Sequence, residues 1–269
     1  MARYLTHLFG QATHKRVHLL LGVQGDAGSQ FLANFKSTSD YLNRIESLLW
    51  TQLGKAQPKS DFQKLWFDVY ISITESKEAK NNIYKLLQNK IKFKGLIIDQ
   101  DRRWNIIVKL NELDFEEGEK LRTAELKKDK SENGQKAYIA SEVIRPYADI
   151  KRKWFKTITV EKTDLSLARQ KTVMGSLFPN SQLSIRKEFS SDFYSVLPKL
   201  TKEKDNQYLR FFTQSLTPTL CTEESAKTIQ NFIQSHSDLP PVVMKNLRIK
   251  HQEDERCVRI RQLAQSVSS

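Results

Sequence analysis

Cysteine is scarce in this sequence, long apolar runs are missing, and strand-like alternation is nearly absent. Each shortage excludes something. Cys221 and Cys257 are the only cysteines and stand in no C-x-x-C pattern. The simplest account is two free thiols in a reducing cytosol, hence a cytoplasmic protein. No apolar stretch approaches the ~20 residues of a spanning helix, so no membrane is expected among the partners. The N-terminus, Met1 to Gly10, has no apolar segment leading to a small-residue cleavage site, and no signal peptide is read there. Gly95-Leu96-Ile97-Ile98 and Thr157-Ile158-Thr159-Val160 are short and lack period-2 partners, which makes them connectors or helix ends. No long Gly/Ser- or Pro-rich linker divides the chain, so residues 1–269 are expected to form one continuous domain.

Catalytic patterns are missing as well. His14-Lys15-Arg16-Val17-His18 places two histidines at i and i+4, one face of a helix, where they could ligate zinc. A zincin needs a Glu directly after the first histidine, and Lys15 stands there; the first Glu anywhere is Glu46. No metal ligand is therefore assigned. The run Gly22 to Gly28 matches neither a dinucleotide fingerprint nor a Walker loop, and it reads as a flexible loop. There is no G-x-S-x-G elbow, and His7, His236 and His251 have no acid–base setting visible in sequence. No pair of carboxylates stands out as acid and base. The chain carries no catalytic residue that sequence can name.

Acidic residues are outnumbered. The net charge is +13, yet Lys and Arg are interleaved with Glu and Asp, as in Lys127-Lys128-Asp129-Lys130-Ser131-Glu132. The densest basic piece, Lys245 to Arg261, is broken by Glu253-Asp254-Glu255. A solvated, mildly basic surface fits better than a nucleic-acid footprint, which usually gathers its cations on one face. Hydrophobic residues at 39% and charged residues at 28% exclude both disorder and a membrane protein.

Helical periodicity is abundant. Phe62, Leu65, Trp66, Val69, Tyr70 and Ile73 fall on one apolar stripe, preceded by the capping box Ser60-x-x-Gln63. Leu42, Ile45, Leu48 and Leu49 repeat the stripe one helix earlier, and Trp104, Ile107 and Val108 open another. Trp66 and Trp104 are thus expected core anchors. Thr222 before Glu223-Glu224 reads as an N-cap, and Leu239-Pro240-Pro241 as a helix entry. Breaks recur at Gly22 to Ser29, Gly54 to Lys59, Lys92 to Asp99, Asp129 to Gly134, Arg145-Pro146, Phe178-Pro179 and Pro198. Serial amphipathic helices between short breaks predict an all-α superhelical array of antiparallel hairpins, a HEAT- or armadillo-like solenoid. A compact helical bundle is the other arrangement compatible with that pattern.

The densest mix of charge and aromatic is Asp99-Gln100-Asp101-Arg102-Arg103-Trp104. Arg102 or Arg103 could grip a peptide carboxylate through a bidentate fork. The plainer reading is a helix start, capped by Asp99 or Asp101 and anchored by Trp104, with an Arg paired to a neighbouring acid.

These segments resemble a known family. Leu49 to Trp66, the Asp99–Trp104 helix start, the Asp129 to Lys136 and Ala140 to Lys153 stretches, Asp192 to Pro198 and Leu239-Pro240-Pro241 follow the order found in the C-terminal domain of actinomycete-type aminopeptidase N. That family belongs to the gluzincin zinc aminopeptidases, and the endoplasmic-reticulum aminopeptidases carry a related domain. The similarity runs from about Phe31 to Gln265. It implies a helical bowl over a zinc site, closing a cavity that holds the peptide, with catalytic domain and peptide substrate as partners. The H-E-x-x-H and its zinc would lie in the parent enzyme, outside this chain. Met1 would fall inside the domain, a truncation relative to the family. The alternative is a free-standing helical-repeat scaffold that binds protein or nucleic acid, the latter not expected from the charge pattern.

Overall fold

The computed structural model describes residues 38–160 and 162–268, with side chains placed from 42 to 263. The fold is all-α, as expected: thirteen α-helices and no strand among the described residues. No described helix is long and apolar enough to cross a membrane. The chain divides into two compact units at Pro146–Tyr147, which is the Arg145-Pro146 break. The histidine pair His14–His18, His7 and the glycine run Gly22 to Gly28 lie outside the described residues.

The first unit contains α1 (Thr38–Lys55), α2 (Asp61–Ile73), α3 (Lys77–Leu87), α4 (Gln100–Glu112), α5 (Gly118–Lys128) and α6 (Glu132–Val143). Small polar residues start most of these helices, accepting from a backbone N–H three residues on. Ser60 accepts from Gln63 at 3.1 Å, Ser76 from Ala79 at 3.0 Å, Asp99 from Arg102 at 3.0 Å and Ser131 from Gly134 at 3.1 Å. The reciprocal arm of the Ser60 box differs from expectation. Gln63 Oε1 takes the N–H of Lys59 at 3.0 Å, and its Nε2 donates to the Lys94 carbonyl at 3.0 Å. Gln63 is therefore buried, while Phe62, placed on the core stripe by its spacing, is 53% exposed. The buried arc of α2 runs through Trp66, Phe67, Val69, Tyr70 and Ile71, and Phe62 sits at its edge in the first turn. These rings meet Leu49 and Leu53 of α1, Ile83 and Leu86 of α3, and Ile106, Ile107 and Leu110 of α4 in one core. Glu46 is buried in α1 and accepts the N–H groups of Glu75 (2.7 Å) and Ser76 (3.1 Å), fixing the entry to α3. Helix α4 is the hub: α2, α3, α5 and α6 all pack on it.

The second unit contains α7 (Ala148–Thr159), α8 (Leu167–Ser176), a short 3-10 turn, α9 (Leu183–Glu188), α10 (Ser190–Glu203), α11 (Asn206–Leu216), α12 (Glu223–Ser235) and α13 (Pro241–Ser268). Its core is aromatic. Phe193 stacks on Phe212 at 5.5 Å, and Tyr208 stacks on Phe212 at 5.7 Å. Thr222 caps α12 through a full capping box with Ser225, and Pro241 opens α13, both as read from sequence. Pro198 does not break the chain as expected; it lies inside α10. A proline there removes one helical hydrogen bond, and the helix continues on Leu197 and Leu200, both fully buried.

The two cysteines also correct the sequence reading. Cys221 and Cys257 are not free thiols; they form a disulfide, with Cα atoms 5.2 Å apart. Their separation of 36 residues hid this. The α12–α13 hairpin supplies the proximity, returning the chain so that a residue of α13 meets the turn before α12.

Candidate functional site

The Asp99–Trp104 cluster occupies the first turns of α4. Arg102 reaches back to α2: its Nε donates to Asp68 Oδ1 at 3.2 Å and its Nη1 to Asp99 Oδ2 at 2.7 Å. Arg103 reaches α5 instead. Its Nε and Nη2 grip both oxygens of Glu125, at 2.7 and 2.6 Å, in a fork, and Nη1 donates to the Leu87 carbonyl at 3.3 Å. Gln100 adds a third donor to Glu125 at 3.0 Å. Glu125 is buried, and the Arg103 fork, with Gln100, holds its carboxyl below the ordinary range despite that burial.

Trp104 is buried at 4% exposure, the core anchor its spacing predicts. Its indole Nε1 donates to Asp129 Oδ2 at 2.8 Å. The other oxygen of Asp129 accepts from the Ser131 hydroxyl at 2.6 Å and its N–H at 3.1 Å. Donation by Ser131, then by Trp104, holds the Asp129 carboxyl below its usual value. Ser131 in turn caps α6 at Gly134. A Cβ on Gly134 would lie 2.6 Å from the Asp129 carboxylate and still nearer its carbonyl oxygen, so a side chain there collides with backbone. The spacing Asp129-x-Ser131-x-x-Gly134 is thus a folded knot that seats the Trp104 indole. It ties α4 to the α5–α6 turn, while Arg102 and Arg103 tie α4 to α2 and α5.

Chemically, this cluster holds rather than reacts. Both guanidiniums face carboxylates of the same chain, and the Ser131 hydroxyl is held between the Asp129 carboxylate and the Gly134 N–H that it caps. Elsewhere, His236 stacks on Phe232 at 4.2 Å and His251 faces Glu255 at 3.8 Å. His236 Nδ1 also lies 3.0 Å from the Ser235 hydroxyl and 3.1 Å from the Phe232 carbonyl, a local contact at the C-terminal end of α12. Among the described residues no group of three or more His, Cys, Asp or Glu is placed to hold a metal ion.

One buried polar centre was not legible in the sequence. Asp254 of α13 is fully buried; it accepts the Cys221 N–H at 2.7 Å and the Ser225 hydroxyl. Burial raises its pKa above the ordinary range, against the pull of those donors. The only sequence signal was an acid three residues before a cysteine, hidden inside Glu253-Asp254-Glu255. Asp254 and the disulfide together fix the turn that carries Cys221, whose φ of 56° is left-handed.

The family model described as ERAP1-like C-terminal domain matches residues 25–248, across both compact units. No curated protein matches the chain.

Proposed function

Because the chain belongs to the ERAP1-like C-terminal domain family, we propose that it is the non-catalytic helical domain of a zinc-dependent aminopeptidase, covering the active site and shaping the peptide cavity. The family match over residues 25–248 carries this reading. The motif residues support it: Asp99, Arg103, Trp104, Asp129 and Gly134 serve packing, as residues of an architectural domain do. A match that spans both units also favours one domain in the evolutionary sense.

The described residues do not fit the zinc of the parent enzyme, since none are gathered to ligate it. No chemical step is assigned through the metal here; peptide hydrolysis belongs to the catalytic partner. A peptide-carboxylate contact at Arg102 or Arg103 carries a defined requirement. An incoming carboxylate must displace Asp68 or Glu125 from a fork already made. The cytoplasmic location expected from free thiols loses its premise with the disulfide, and an oxidising compartment suits this chain better.

The test is reconstitution. The chain is mixed with a catalytic fragment of the same family, followed by size-exclusion chromatography and by cleavage of short and long peptides. Co-elution with a changed preference for peptide length is expected. A monodisperse chain that ignores the fragment would favour the free-standing scaffold.

A further inference from the structure

Helix α13 is the longest among the described residues, and its exposed face has an uneven charge. Lys245, Arg248, Arg256 and Arg259 are all exposed. At 100° per residue these positions fall within about 80° of arc, and from first to last they span about 21 Å along the axis. None of the four makes an ion pair among the described residues. Every carboxylate of the helix is engaged elsewhere. Glu253 meets Lys250 at 3.0 Å, Glu255 meets His251 at 3.8 Å, and Asp254 is buried. From α12, Glu223 reaches α13 at Gln262, past the last of the four cations and next to Leu263. The basic piece that looked broken in sequence by Glu253-Asp254-Glu255 is sorted by the helix: the acids turn inward or sideways and the cations line up outward.

Two large apolar side chains share this face, Ile249 at 40% and Leu263 at 61% exposure. Cations interleaved with exposed aliphatic residues on one helix suit a headgroup layer, where phosphates meet the cations and aliphatic groups enter the acyl boundary. Nucleic acid calls for aromatic stacking partners beside the cations, and this stripe exposes no aromatic ring; its exposed polar neighbour is the single amide of Gln252, set among aliphatic side chains. We infer that the exposed face of α13 docks on an anionic phospholipid surface through Lys245, Arg248, Arg256 and Arg259, with Ile249 and Leu263 entering the interface. The contact is peripheral and calls for no spanning segment.

The experiment is co-sedimentation of the full chain with phosphatidylcholine vesicles, with and without phosphatidylserine. Binding is expected only with phosphatidylserine, and it should weaken as salt is raised. Each cation near such a surface multiplies binding by roughly fivefold. The variant K245E/R248E/R256E/R259E should therefore bind at least a hundredfold more weakly, and I249S/L263S should bind measurably more weakly. A control variant reverses four exposed lysines of the first unit, Lys85, Lys90, Lys120 and Lys127, giving the same net charge. It should keep most of the binding, and circular dichroism of each variant confirms that the helices are intact. Equal loss in the control would show that net charge alone was read, which overturns the assignment. So would indifference to phosphatidylserine, or stripe-dependent binding of RNA that outcompetes the vesicles.

Discussion

Removing the Cys221–Cys257 bond is the perturbation whose size follows most directly from chain topology. The bond closes a loop of 36 residues containing α12 and the first half of α13. In the chain-entropy treatment, a loop of that length restricts the unfolded state by about 13 cal/mol/K, or about 4 kcal/mol at 25 °C. Both half-cystines are buried, so Cys221→Ala/Cys257→Ala adds only a small packing loss to that figure. The double variant is expected to lose about 4 kcal/mol from the second unit. Urea unfolding followed by circular dichroism measures the loss, and hydrogen exchange of the α12 and α13 amides locates it. Dithiothreitol during unfolding should bring the wild-type chain to the variant's midpoint and leave the variant unmoved. Alkylation of the denatured, unreduced chain should find no thiol. Two reactive thiols there, or a double variant within about 1 kcal/mol of wild type, would refute the reasoning.

Three further outcomes are expected. Trp104→Ala should cost the first unit about 3–5 kcal/mol, as for any fully buried large aromatic, whereas an unchanged melting curve would mean the indole is not the anchor described. Gly134→Ala should cost about 1–3 kcal/mol as an overpacked site, and fluorescence should show Trp104 leaving its seat on Asp129; a neutral substitution would contradict the close approach. Burial raises the folded-state pKa of Asp254 above its unfolded value, so the native state holds the extra proton between the two. Its contribution to stability therefore falls as pH rises through that window, just above the usual Asp range, and Asp254→Asn should remove the slope; an identical pH profile in both proteins would show that the carboxyl is not the group responsible.

Most of the fold was legible because helix starts are written locally. Ser60, Asp99, Thr222 and Pro241 each satisfy or forgo backbone donors within three residues, and each begins a helix where the pattern placed it. What failed depended on distance. Phe62 fits an apolar period, but whether an edge position is covered depends on the neighbouring helices, and here it is not. Pro198 looked like a stop because local chemistry disfavours it, yet the packing of Leu197 and Leu200 carries α10 through. Spacing rules could not pair Cys221 with Cys257, since only the α12–α13 hairpin brings them together.

The candidate site shows the same division at the level of single side chains. That an Arg near the start of α4 would pair with an acid was readable; that the acid for Arg103 is Glu125, 22 residues on, was not. It bears on the two readings of Arg102 and Arg103. A surface arginine awaiting a peptide keeps a donor fork free, and both of these forks are already occupied by carboxylates on α2, α4 or α5. The landmarks that carry the family likeness are therefore those that lock helices together: a glycine with no room for a methyl group, a serine that caps, an aspartate that holds an indole. Such residues fix the angles between helices, and those angles are what the proposed role, enclosing a cavity whose chemistry lies on another chain segment, would require. The outward face of α13 takes no part in that locking, and it is there that this chain presents charge for contacts of its own.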